Sequence, residues 1–198
     1  HPTGRRSETE PCEDWHLERR PVPASFDASK GRKRVKIDAK AYPVNTIYEP
    51  PKAEGDYDEL QAKIQEIVSR DVRNGRAKGD FLVFLSGVRA IKDCIAAVKK
   101  LKEAGRLEPL PLYARLSSDE QEKVFQDYPG KFKVIVSTNI AETSVTIDGV
   151  TTVIDSGLAK MNFYNKRTFT SSLVEVPISR ASCNQRKGRA GRTAPGDC

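Results

Sequence analysis

Toward one end of the chain, Gln185-Arg186-Lys187-Gly188-Arg189-Ala190-Gly191-Arg192 sets an amide and two guanidiniums at positions i, i+4 and i+7. Read as a continuous helix, that spacing puts Gln185, Arg189 and Arg192 on one face. A row of always-protonated forks suits a phosphate chain. Gly188 and Gly191 make a poor helix interior, each worth about 1 kcal/mol against alanine. Their presence predicts that something approaches this backbone closely. The alternative for these eight residues alone is a solvated basic helix or a loose Arg/Gly patch.

A second stretch has the composition of a binding loop. Ser137-Thr138-Asn139-Ile140-Ala141-Glu142-Thr143-Ser144-Val145-Thr146-Ile147-Asp148-Gly149 carries five hydroxyls, an amide and two carboxylates. A richly capped loop–helix junction is the plainer reading, because these residue types also favour caps. Ser86-Gly87, directly after an apolar run, is small enough to let an anion near the backbone, although such turns are common.

These groups need elements to hold them. Phe81-Leu82-Val83-Phe84-Leu85 is apolar without alternation, the pattern of a strand buried on both faces and hence of a parallel sheet. Leu60, Ile64, Ile67 and Val68 share one helical face, with Asp58 and Glu59 in the first turn and Gly75 beyond the end. Ile91, Cys94, Ile95, Val98 and Leu101 form a second helical stripe, stopped by Gly105. Leu110–Tyr113, Phe132–Val136 and Thr151–Asp155 read as strands. A capping box of Ser118 with Gln121 opens a helix holding Val124 and Phe125. The segment 41–52, with three prolines, is extended and suits a sheet edge through Val44, Ile47 and Tyr48.

Strand and helix alternate, which predicts an α/β fold with a doubly wound, mostly parallel sheet. Between Met161 and Val176 a mixed aromatic and Ser/Thr stretch predicts a β-hairpin standing out from that sheet. Residues 1–34 are polar and proline-punctuated, an irregular lead-in, with Val35-Lys36-Ile37 able to form a short strand. Ligands of such sheets bind beyond the carboxyl ends of the strands. That is where Ser86, Ser137 and the segment leading to Gln185 are expected.

Composition narrows the partners. Among 198 residues, 34 Lys and Arg against 27 Asp and Glu give a formal charge of +7. That balance favours polyanions. Four scattered cysteines without a Cys-x-x-Cys pair, and only two histidines, argue against a zinc site or a disulfide scaffold. They predict a reducing, intracellular setting, cytoplasmic or nuclear. No apolar run approaches the roughly 18 residues of a membrane span, so a membrane is not an expected partner. His1 is not an initiator, and the chain stops at Cys198 soon after Arg192. The expectation is a piece of a longer protein. The sequence holds no Gly-x-x-x-x-Gly-Lys-Ser/Thr loop and no Asp-Glu-x-His, the usual pieces that grip a triphosphate and its magnesium. Both histidines lie in the lead-in, which argues against a Ser/His/Asp triad.

Taken together, Phe81–Gly87, Ser137–Gly149 and Gln185–Arg192 resemble helicase motifs IV, V and VI. They stand in the order found in the second RecA-like domain of DEAH-box RNA helicases of superfamily two. The resemblance covers about residues 35–198, with 1–34 as the tail of a first RecA-like domain. It implies an ATP-dependent RNA helicase in which this domain supplies the arginine finger. Arg192 would be that finger, Arg189 its companion at the γ-phosphate, and Gln185 would lie near the attacking water. Phe125 would stack on adenine, Thr146 and Asp148 would face the nucleotide, and Ser86, Gly87, Thr138 and Asn139 would touch the RNA backbone. The implied ligands are ATP and a Mg2+ held by the first domain. The implied partners are RNA, that first domain of the same polypeptide and an activating protein. The isolated chain is then expected to be inactive. Val22–Ala28 resembles a decayed Ser-Ala-Thr motif with Pro23 where a serine belongs, which leaves a non-catalytic RNA-binding or scaffold module as the alternative.

Overall fold

The five apolar residues from Phe81 lie in the middle of the structure, a computed structural model that describes residues 42–53, 55–167 and 169–198. Strand β2 (Asp80–Phe84) sends its side chains alternately to two cores. Phe81 and Val83 join Leu85 against α1 (Tyr57–Arg73) and α2 (Val88–Val98). Leu82 and Phe84 point the other way, toward Val124, Ala141 and Ala190. A run without alternation is what two buried faces require.

The remaining strands are β1 (Val44–Asn45), β3 (Leu107–Leu112), β4 (Phe132–Ser137), β5 (Val150–Asp155) and, at the chain's end, β8 (Gly196–Asp197). The sheet order is β1-β8-β5-β2-β4-β3, and every pairing is parallel. The expected doubly wound α/β sheet is therefore present. Register aligns Leu82 with Ile135 on one side and Val153 on the other. Pro109 and Pro111 sit in β3, an edge strand, where a missing ladder donor does least harm. The extended segment 42–52 does lie along the opposite edge, through the two residues of β1.

Local signals behave as chemistry dictates, with some shifts. Asp56 caps α1 by accepting from the backbone N–H of Asp58 and Glu59, and Gly75 beyond the helix has φ +66°. The capping box of α3 (Ser118–Glu122) is Ser117 with Glu120, one residue earlier than the expected Ser118 with Gln121. Val124 and Phe125 follow α3 in a turn of 3₁₀ helix rather than within it. The second helical stripe ends at Val98 instead of running on to Leu101. The hairpin is longer than expected, β6 (Leu158–Asn165) against β7 (Thr170–Pro177), and forms its own antiparallel sheet. The expected strand 35–37, the lead-in and the motif-like residues 22–28 lie outside the described residues.

Candidate nucleotide and nucleic-acid site

The Arg/Gly segment does not form one helical face. Helix α5 (Arg180–Lys187) ends at Lys187, because the chain tightens into i→i−3 turns. Arg189 N donates to Arg186 O at 3.0 Å and Ala190 N to Lys187 O at 3.1 Å. Arg189 and Arg192 therefore leave the helix. The close approach that the glycines predict is real, but it comes from the chain itself. Tyr42 N donates to Gly191 O at 2.8 Å, and a Cβ on Gly191 would lie 2.6 Å from Tyr42 O.

The three arginines have three different fates. Arg186 is 1% exposed. Its Nε donates to Glu142 Oε2 at 3.1 Å, and its Nη1 donates to Asp155 Oδ1 at 2.8 Å and Leu158 O at 3.3 Å. Its guanidinium carbon also lies 4.8 Å from the centroid of the Phe84 ring. Arg189 is buried too, but its partners are carbonyls. Nε and Nη2 donate to Glu142 O, and Nη1 to Val145 O at 2.6 Å. Burial, with Arg192 close by, lowers the Arg189 pKa from its ordinary value. Arg192 is exposed. Its Nη1 donates to Thr146 Oγ1 at 2.8 Å, one of five donors, so most of the fork is available. Gln185 is exposed on α5.

These contacts bind the hydroxyl-rich loop to the Arg/Gly segment. The short helix α4 (Ile140–Thr143) carries Glu142, whose side chain takes Arg186 and the Ser182 hydroxyl (2.5 Å) while its carbonyl takes Arg189. Farther along, Thr146 meets Arg192. Among the three guanidiniums, the one in a carboxylate cluster is Arg186, which was not singled out from the sequence. The available signal was the pair of carboxylates, Glu142 in a polar loop and Asp155 at a strand end, each of which needs a cation when drawn inward.

The candidate residues fall at two ends of the sheet. Ser86 and Gly87 follow β2, and Thr138 and Asn139 follow β4, so all four sit at neighbouring carboxyl ends. Leu85 N donates to Ser137 O at 2.9 Å and Ser156 N to Phe84 O at 3.3 Å, which ties these ends together. The hairpin reaches the same place, where the Ser86 hydroxyl donates to the Glu175 carboxylate. Phe125 and Asp148 do not share this end. Phe125 precedes β4, and Asp148 precedes β5, toward the amino ends of the strands. Not every candidate therefore gathers at the carboxyl ends. Phe125 is half exposed, and Thr146 and Asp148 are exposed. Among the described residues no group of three His, Cys, Asp or Glu could hold a metal ion.

A parallel sheet that holds a Gln-Arg-x-Gly-Arg-x-Gly-Arg segment against its hydroxyl-rich loop has the layout of a RecA-like motor domain. Residues 59–194 match the helicase conserved C-terminal domain, and the chain belongs to that family. It is 46% identical over 165 residues to the ATP-dependent RNA helicase HrpA of Borreliella burgdorferi, covering 83% of this chain and 20% of that protein. A putative pre-mRNA-splicing factor ATP-dependent RNA helicase, C20H4.09 of Schizosaccharomyces pombe, is 43% identical over 187 aligned positions, 87% of this chain and 28% of the relative. The crystal structure of the Escherichia coli DEAH/RHA helicase HrpB superposes with a TM-score of 0.68 at 32% identity, covering 79% of this chain and 19% of that one. These similarities place the domain in the DEAH-box branch of superfamily two. The chain thus spans between a fifth and three tenths of the relatives' length. Among the described residues no helix is long and apolar enough to cross a membrane.

Proposed function

We propose that residues 35–198 are the second RecA-like domain of an ATP-dependent RNA helicase, with residues 1–34 as the tail of the first. The observation that carries this reading is the exposed Arg192 fork, anchored by one bond to Thr146 at the edge of the loop that Arg189 holds in place. When the first domain closes over ATP, Arg192 brings positive charge to the γ-phosphate, where charge develops during transfer. Gln185, on the last turns of α5, lies near the attacking water. Arg189 acts as the companion group, and its bonds to Glu142 O and Val145 O suit it to positioning the loop. Phe125 takes the adenine, and Thr146 and Asp148 face the nucleotide. The first domain would hold the Mg2+ that accompanies ATP and would neutralise charge on its phosphates, and the residues named here act beside it.

Ser86, Gly87, Thr138 and Asn139 form the RNA track, which meets phosphates more than bases. The hairpin rooted beside them parts strands, and an activating protein bears on the assembled motor. An intracellular setting, cytoplasmic or nuclear, accompanies this reading. The division of labour is tested by measuring ATP turnover with and without RNA. The 198-residue chain alone should show none, while the polypeptide that includes the first domain should hydrolyse ATP faster when RNA is added. Turnover by the chain alone, or no response of the longer protein to RNA, would remove the proposal.

A further inference from the structure

Lys133 is an anomaly in β4. Its neighbours Val134, Ile135 and Val136 are core residues, yet this lysine is 7% exposed. Its Nζ lies 3.3 Å from Asp80 Oδ2 and donates to Val124 O at 3.1 Å and Gln126 O at 3.4 Å. Those two carbonyls flank Phe125. Val124 is buried in the core, so with Lys133 holding the residue on either side, the Phe125 ring is presented outward on a fixed turn. Asp80 closes the arrangement from the opposite side. Its Oδ1 accepts from Lys133 N at 2.8 Å, and its own N donates to Gly149 O at 2.8 Å. Gly149 has φ +85°, and a Cβ there would come within 3.3 Å of Asp80 Oδ2. The carboxylate is thus wedged against the Asp148–Gly149 turn. A cavity of about 450 Å³ opens beside the pair, with Asp80, Lys133, Tyr128 and Asp148 among its walls.

A buried ion pair is a poor way to gain stability, since an apolar pair of similar volume does as well or better. Placement accounts for it better. We propose that the Lys133–Asp80 pair is a positioning device of the nucleotide site, setting the distance between the aromatic at Phe125 and the carboxylate at Asp148. The pair touches no reacting atom and acts through those two residues. This rests on the reading of Phe125 and Asp148 as nucleotide contacts. It adds that Lys133 governs how well the nucleoside is held and leaves the finger chemistry alone.

The test uses steady-state ATPase of the polypeptide carrying both RecA-like domains, with saturating RNA. Lys133→Met should raise KM for ATP about fivefold or more, the low end of what a lost base–aromatic stack is worth, with kcat within about twofold. Lys133→Arg, which keeps charge and donors, should restore most of the affinity. The double variant Lys133→Met with Phe125→Ala should bind ATP no worse than Phe125→Ala alone, because both remove one interaction. If Lys133→Met does not fold, Lys133→Gln is measured in its place. An unchanged KM in a folded variant, fully additive effects with Phe125→Ala, or a fall in kcat at constant KM would each overturn the proposal. A wild-type protein without ATPase would instead remove the nucleotide-site reading, and this inference with it.

Discussion

Replacing Arg186 by methionine removes the cation at the centre of the clamp between α4, α5 and the hairpin base. The structure allows the loss to be worked out. Three hydrogen bonds disappear, two of them to carboxylates, and the Phe84 ring loses its guanidinium. Glu142 keeps the Ser182 hydroxyl, and Asp155 keeps, among the described residues, the N–H of Gly157. Breaking a buried pair from one side costs about 3–5 kcal/mol, because the opposite charge stays inward without its partner. Methionine fills much of the vacated volume, so the cavity contribution is small. A domain of this size stands on roughly 5–15 kcal/mol in all. Urea unfolding of the chain, followed by far-UV circular dichroism, should therefore lose about a fifth of its stability or more. The corresponding drop in Tm is roughly 6–20 °C at 2–4 °C per kcal/mol. Adding Glu142→Gln and Asp155→Asn should recover part of the loss, since the stranded charges go with the cation. A loss below about 1 kcal/mol for Arg186→Met would refute the reasoning, as would a triple variant less stable than the single one.

Other perturbations read different parts of the fold. Gly191→Ala should destabilise the chain by about 1–3 kcal/mol in the same urea assay, because the added Cβ meets the Tyr42 carbonyl and the Val44 side chain. Glu49 accepts from Arg70 at 2.8 Å, and that bond, with Lys63 nearby, lowers its pKa. The unfolded chain therefore binds the proton more readily, so this contribution is complete above the ordinary value of 4.5 and is lost as pH falls through the lowered one. Glu49→Gln should flatten the stability profile as pH falls below 4.5 relative to wild type, as measured by thermal melts. Burial pushes the Cys94 thiol up to about 12, whereas Cys183 is exposed on α5. Iodoacetamide at neutral pH should modify Cys183 and spare Cys94 until the chain unfolds, as peptide mass spectrometry would show.

Much of this was legible in the residues themselves. Phe81–Leu85 has the pattern of a strand covered twice, and Asp58 and Glu59 ahead of the Leu60 stripe mark a first helical turn. The loop at 137–149 and the segment at 185–192 declared polar chemistry by composition. What stayed hidden was direction. In Gln-Arg-Lys-Gly-Arg-Ala-Gly-Arg nothing local says which guanidinium turns inward. That choice is made by Glu142 and Asp155, 44 and 31 residues away in the chain. The helix end at Lys187 had a local sign in Gly188, its C-cap, but the docking of Tyr42 on Gly191 at the far edge of the sheet had none. Two-residue strands such as β1 and β8 carry no periodicity at all. Lys133 read as one more charge in a basic chain, since only its burial beside Asp80 distinguishes it.

The central claim is that Arg192 serves an ATP bound by another domain, and turnover by an Arg192 variant addresses it most directly. In the polypeptide with both RecA-like domains, Arg192→Ala should lower kcat by about 10³-fold or more. RNA affinity, which the proposed track at the carboxyl ends of β2 and β4 would set, should stay within about twofold, and the isolated chain carrying the same change should melt as wild type does, because Arg192 is exposed. Hydrolysis at an undiminished rate, with RNA binding intact, would contradict the account.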